Sequence, residues 1–509
     1  MNDNLELVFN QYNDFFQTGY HIRSNQTALK ILKTGFRDLE DLQNKVREHE
    51  IKKLKQMVKG DYQDLKSLIE FEQPKSIFLY VIYIDIVLDS IEDGFFSEID
   101  IERSDLFQIV LSIVMYVLFL QNYKNSERAL SKKAKKAVFV RENYLLGLEE
   151  IKKVCWSVES SDFKKFVDLF SFDYENREIE DLDNERLFRL DNSIFILSIE
   201  EFVEYILYQV ELIYRSHSTE KEFSQYQNRK GLEFEKIVYN LSASSGLFNE
   251  IAHSVNYYPF NNKVAEIDIL IRDEECLTII ECKSGTIELR NSSNDNEVKQ
   301  KINNKVKKAY RTLENAYEYI CSNEEYKFIN DTVSFEGKSS AIEPLSLHLS
   351  MYPIDSLSSN IHVLDEKYIG TNRNPKITMS FEHFMAILLE CSNTDSVSIT
   401  QYLKKRKEYI LEKPKVSMDI NELDLYAQIA NINGKSLLTE SFEKSLLDSF
   451  SDDVKIVTSF KDANGDEYRP AYDMIKSLDS ILLAWVFDVK FGLNKRYLSY
   501  LERYISSEN

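Results

Sequence analysis

Apolar residues recur at three- and four-residue spacing over much of the first 218 positions, with Lys- and Glu-rich stretches between the runs. Residues 61–72, 76–91 and 105–123 carry that spacing, which is the mark of a helix with one face turned inward. The charged stretch at 33–57, KTGFRDLEDLQNKVREHEIKKLKQM, predicts a solvated helix laced with ion pairs. No proline lies between Pro74 and Pro259, so little interrupts these helices. The pattern predicts an α-helical domain over 1–218.

From about Gln225 the period changes. Phe234, Ile237, Val238 and Leu241 fall at i, i+3, i+4 and i+7, one face of a helix, with Glu235 at its rim. Residues 266–271, EIDILI, alternate instead: Ile267, Ile269 and Ile271 on one side, Glu266, Asp268 and Leu270 on the other. The turn RDEE closes a hairpin into 277–285, LTIIECKSG, where Leu277, Ile279, Glu281 and Lys283 share a face opposite Thr278, Ile280 and Cys282. A second helix is expected at 299–320, striped by Ile302, Val306, Ala309, Leu313, Ala316 and Ile320. After Pro375 the residues 381–410 return to helical spacing, and 452–460, DDVKIVTSF, reads as a strand. The expected architecture is multidomain α+β: helices over 1–218, a central α/β core over 219–375 and a mainly helical domain over 376–509.

Composition narrows the setting. With 43% hydrophobic and 29% charged residues, the 509-residue chain can bury cores of its own in several domains. The longest uncharged apolar run, Leu106 to Leu120, is shorter than a membrane span needs and predicts a buried helix. The start MNDNLELVFN lacks the basic-then-apolar pattern of a signal peptide, and five scattered cysteines form no CxxC pair or zinc spacing. A reduced, cytoplasmic setting without a membrane follows as the expectation. A formal net charge of -21 rules out a surface that coats polyanions, so any nucleic-acid site must be local. No Walker-type loop or GxGxxG is present, and the seven histidines are dispersed.

The hairpin is where chemistry concentrates. Glu281 and Lys283 emerge side by side, about 6–7 Å apart along one strand, with Asp268 on the strand before. Two carboxylates and an ammonium converging at the end of an apolar hairpin call for an occupant, and a hard divalent cation suits them. Hydrolysis of a phosphodiester needs an activated water, a Lewis acid on the phosphoryl oxygen and relief for the leaving oxygen. Asp268 is then the central metal ligand, Glu281 the second and the Cys282 backbone carbonyl a third. Lys283 orients the attacking water, and Glu235 serves a second metal or its water shell.

An acid on a helix, an Asp on a strand and E-x-K on the next strand resembles the PD-(D/E)XK nuclease superfamily, over roughly Gly231 to Ile320. The resemblance implies a restriction-endonuclease-like core, a mixed sheet flanked by helices, that cleaves DNA with one or two Mg²⁺ or Mn²⁺ ions. It further suggests an endonuclease acting as an effector of bacterial defence or restriction. Its helical additions would bind a protein partner or a second copy. An inactive nuclease fold that binds nucleic acid as a scaffold, and RNA as the substrate, stay open as alternatives.

Six basic residues and no acid occupy 299–311. Lys301, Lys305 and Lys308 share one flank there, and with Arg311 they are expected to contact phosphates; a merely solvated face is the alternative. The basic run Arg128 to Lys136 is less specific. His253 lies between the first helix and the Asp268 strand and is more simply a structural residue, and Cys282 points its thiol away from the site.

Overall fold

The computed structural model describes residues 75–130, 145–155, 158–173, 188–190, 193–195, 199–259, 264–273, 275–285, 295–353, 374–393, 397–412, 422–430, 460–461, 467–468 and 470–485. The expected helices at 33–57 and 61–72, and most of the strand at 452–460, lie outside them. The described chain falls into two compact units. One comprises Ser76–Tyr226 and the residues from Asp479 on; the other comprises Gln227–Leu478.

The first unit is built on α1 (Ile77–Ser90), α2 (Asp93–Ile99) and α3 (Arg103–Leu130). Every residue of α1 except Asp89 is buried, which explains its near-continuous run of Ile, Leu, Val, Phe and Tyr. Its exposed first amides are capped: Ser76 Oγ accepts from Leu79 N at 3.1 Å, and Asp479 accepts from the amides of Ile77 and Phe78. The apolar run read as a buried helix forms part of α3, and all its residues from Leu106 to Val117 except Gln108 are buried. Among the described residues no helix is long and apolar enough to cross a membrane.

This unit is not purely helical. Short strands β1 (Leu145–Gly147), β2 (Phe172–Asp173), β3 (Phe188–Leu190) and β4 (Ser193–Phe195) make a sheet of order β1-β4-β3-β2. Runs of two or three residues are too short to display a period of two, so the sequence pattern showed only the helices around them. Those are α4 (Leu148–Val154), α5 (Ser160–Phe170) and α6 (Ile199–His217).

The unit boundary divides α7 (Glu220–Ser244), which leads into a seven-stranded sheet. Its strands are β5 (Glu250–Tyr257), β6 (Ala265–Asp273), β7 (Cys276–Lys283), β8 (Glu325–Ile329), β9 (Ser334–Lys338), β10 (Glu343–Ser350) and β11 (Ile377–Ser380). In the order β11-β10-β7-β6-β5-β8-β9 the first two contacts are parallel and the others antiparallel, so the sheet is mixed. All but the last residue of β7 are buried, as befits a strand covered on both faces. Between β7 and β8 runs α8 (Asp295–Ser322), which packs on β7 and β10. Val306, Ala309, Leu313, Ala316 and Ile320 of the expected stripe are all buried against Leu277 and Ile279. The last strand follows Pro375, where the sequence reading ends the core, and α9 (Phe381–Asn393) and α10 (Ile399–Glu412) pack on β10 and β11. The second unit continues with α11 (Glu422–Ala430), β12 (Phe460–Lys461) and β13 (Glu467–Tyr468), and α12 (Pro470–Trp485) is divided by the unit boundary.

The alternation read into 266–271 breaks at its middle. Ile267 and Leu270, three residues apart, belong to the same core cluster beneath α8. On the facing strand, His253 pairs with Ile269 and Val255 with Ile267, which leaves Ser254 opposite Asp268. Ser254 has φ 51°, a left-handed conformation in the middle of a strand. The ladder therefore kinks at the position of the candidate acid. Such strain persists only where surrounding packing holds it.

Candidate nuclease site

The hairpin of β6 and β7 closes in antiparallel register, Ile269 against Ile280 and Asp273 against Cys276. That register carries Asp268 to the C-terminal end of β7. There its Oδ2 accepts the Cys282 amide at 2.7 Å. Leu277 and Ile279 lie under α8, so by the period of the strand Glu281 and Lys283 face the same side. Lys283 Nζ donates to Glu281 Oε1 at 2.5 Å and to the Cys282 carbonyl at 3.0 Å. Glu281 Oε2 is buried and has no hydrogen-bond partner among the described residues. The side chain of Lys283 is 28% exposed against 7% for Glu281, so solvent reaches the cluster on the lysine side.

Glu235, on the rim of α7, completes the arrangement. Its charge, with that of Glu281, acts on Asp268. Burial first, then these two carboxylates, push the Asp268 carboxyl up to about 8. Burial likewise raises Glu281, against the pull of Lys283. For Lys283 burial works against the charged form, yet Glu281 and Asp268 together hold the ammonium above its usual range. Asp268 and Glu281 thus share one ammonium, and Glu235 adds a third carboxylate beside them. The surplus is negative.

The chain's own groups leave room for a cation rather than forming a cage for one. Among the described residues no group of three or more His, Cys, Asp or Glu side chains could hold a metal ion by itself. Magnesium commonly takes only one or two carboxylates and completes its shell with water and substrate phosphate. Asp268, Glu281 with its orphaned oxygen, and the Cys282 carbonyl fit that lesser requirement. The Cys282 thiol is buried and raised far above its normal range by burial and by Asp268, which suits a core thiol rather than a nucleophile.

A family model, the nuclease-related domain (NERD), matches residues 230–335. Residues 230–335 are a nuclease-related domain. The domain is of the PD-(D/E)XK-like kind, and the mixed sheet agrees with it. The match runs from α7 through β9 and so includes Glu235, Asp268, Glu281 and Lys283. A nuclease-related domain implies nucleic acid as substrate. No curated protein and no solved structure matches the chain.

Around the nuclease-related domain's hairpin the remaining candidates take their places. Lys308 and Arg311 are exposed on α8, and the charge of Lys308 reaches Glu281. Lys301 and Lys305 belong to the same helix, with side chains outside the described residues. Lys132 to Lys136 of the other basic run are outside them as well. Two histidines that the sequence left aside come to the site. His253 Nε2 stands 3.8 Å from Glu235 Oε2. His348 pairs in register with Glu281 from the neighbouring strand β10. His253 was traceable through its place between the helix and the Asp268 strand. For His348, more than sixty residues beyond Glu281, nothing in the local sequence announces the pairing.

Proposed function

We propose that the nuclease-related domain is a divalent-metal-dependent endonuclease that hydrolyses phosphodiester bonds in DNA. One observation carries this reading: Asp268 and Glu281 share a single ammonium, the Glu235 charge adds to theirs, and Glu281 keeps one buried oxygen without a partner among the described residues. A buried surplus of carboxylate is costly unless a cation shares it. Asp268, Glu281 and the Cys282 carbonyl would hold one Mg²⁺ or Mn²⁺, and Glu235 would serve a second ion or its water. When bound, the ion would supply Lewis acidity to the phosphoryl oxygen and make a nearby water more acidic. Lys283, at the solvent-reached side of the pocket, orients that water and stabilises the charge that develops on the phosphate. Lys308 and Arg311, with Lys301 and Lys305 on the same helix, hold the backbone of the substrate. The long additions on both sides of the domain suit a cytoplasmic nuclease directed by a partner, as in a restriction or defence effector.

Plasmid cleavage by the full chain in Mg²⁺ or Mn²⁺ tests the reading. Nicking should vanish in excess EDTA and fall by about 10²- to 10³-fold in Lys283→Ala, the loss typical of removing one stabiliser of transition-state charge. Binding of DNA without cutting at any metal concentration would sink the enzyme and leave a scaffold. Faster cleavage of single-stranded RNA at equal salt would replace the substrate.

A further inference from the structure

A row of polar side chains crosses three adjacent strands beneath α8. Glu281 of β7 is in register with His348 of β10, and His348 is in register with Thr378 of β11. Both contacts are parallel, and partners in register on neighbouring strands, about 4.8 Å apart, point to the same face. That face is the one covered by α8. The ring of Tyr310, from α8, stands edge-on to the His348 imidazole at 6.2 Å, and its hydroxyl is 2.8 Å from Thr378 Oγ1. Thr378 Oγ1 is in turn 3.3 Å from His348 Nδ1. All three residues are buried.

The row ends in two unfilled atoms. Among the described residues His348 Nε2 and Glu281 Oε2 are buried and neither has a hydrogen-bond partner. Leaving such atoms unpaired is costly, and here they sit on side chains that are neighbours on one face. Buried at 1% exposure, the ring carries a single N–H in its neutral form. Where that proton sits depends on Thr378. If Tyr310 donates to Thr378 and Thr378 donates to Nδ1, the N–H is on Nε2, facing the carboxylate side. The opposite order would set a lone pair of Nε2 against the lone pairs of Glu281. Only the first order gives every member of the row a partner.

We infer that His348 is a positioning residue for Glu281, its Nε2–H donating to the orphaned Oε2 and holding the carboxylate in the orientation that a divalent cation requires. The inference rests on the proposed metal site. The Glu281 carboxylate is free to turn toward that donor about its terminal torsion, which is broad and soft. Oε2 then keeps its second lone pair for a cation, while Oε1 stays bonded to Lys283. Groups that orient a ligating carboxylate from behind commonly set metal affinity by factors of 10 to 100.

The test uses the full-length protein and Mn²⁺ alone, titrated by calorimetry and by the electron-spin signal of the free ion. His348→Leu should weaken Mn²⁺ binding about 10- to 100-fold, and His348→Gln, whose amide can still donate, should stay within about threefold of wild type. An affinity unchanged in His348→Leu overturns the inference. Equal losses in both variants also overturn it, because shape rather than the hydrogen bond would then be responsible. Should His348→Leu fail to fold, nitrogen chemical shifts of wild-type His348 decide: a proton on Nε2 supports the row as drawn, and a proton on Nδ1 overturns it. Asp268→Asn is the separate control. If wild type and Asp268→Asn bind Mn²⁺ equally poorly and neither cuts DNA, the metal-site reading itself fails, whatever the state of His348.

Discussion

Two buried acid–base clusters in the same unit differ in charge balance and in how their carboxylate oxygens are partnered. Glu422, at the start of α11, is fully buried beside Arg406 and Tyr402 of α10. Its Oε1 accepts from the Tyr402 hydroxyl at 2.5 Å and from Arg406 Nε at 2.8 Å, and its Oε2 accepts from Arg406 at 3.1 Å. One acid meets one base, and both carboxylate oxygens are satisfied. At the end of β7 two acids share one lysine with the charge of a third beside them, and Glu281 Oε2 has no partner among the described residues. Burial alone therefore says little about function. Charge balance and the partnering of the carboxylate oxygens discriminate.

Removing the acid from each cluster should break the symmetry between them. Glu422→Ala leaves a buried guanidinium uncompensated and should cost about 3–5 kcal/mol in urea unfolding; a loss below about 1 kcal/mol would mean that the pair is no strut. Asp268→Asn should do the reverse. With no cation present it removes the cost of holding a buried acid protonated at neutral pH and should stabilise the protein by about 1–3 kcal/mol, while abolishing Mn²⁺ binding and cleavage. A destabilised Asp268→Asn would make the two clusters alike.

Stability against pH sharpens the same contrast. Asp268 is pushed from its ordinary 3.8 up to about 8 in the folded protein, so folding favours its protonated form. That contribution is complete below about pH 4 and is lost as pH rises through about 8. In EDTA the unfolding midpoint of wild type should fall between pH 5 and 8, and Asp268→Asn should show a shallower fall. Affinity for Mn²⁺ should rise over the same interval, because the ion competes with protons. Equal slopes for the two proteins would refute the assignment.

The smallest effect concerns the kink. Ser254→Gly removes a side chain from a left-handed position and should raise stability by no more than about 1 kcal/mol, the usual strain of a residue held there. Ser254→Val should lower it, since a β-branched side chain is least tolerated at φ 51°. The unfolding midpoints of the two variants, compared with wild type, check this ordering.

Much of the site was legible because its parts are local. The stripe at 306–320, the apolar run into Glu281 and the hairpin that brings Asp268 to it follow from periods of 3.6 and 2 within short windows, although the alternation of the Asp268 strand itself breaks. The family match to 230–335 covers the same stretch. What local pattern does not hold is the partnership between distant strands. The parallel pairing of β7 with β10 sets His348 beside Glu281 and Thr378 beside His348, and it depends on α8, β8 and β9 forming the crossover between them. The kink at Ser254 escaped for a related reason: strain there is imposed by the packing of β5 on β6, and a serine carries no sign of it.

By itself, then, the sequence determined which side chains could do chemistry and that they would be offered from one hairpin, because short-range periodicity decides which way a strand or helix faces. Only the tertiary structure decided how much charge would be left uncompensated and which buried atoms would want a partner. Those quantities depend on burial and on neighbours far along the chain, and neither exists until the sheet has formed.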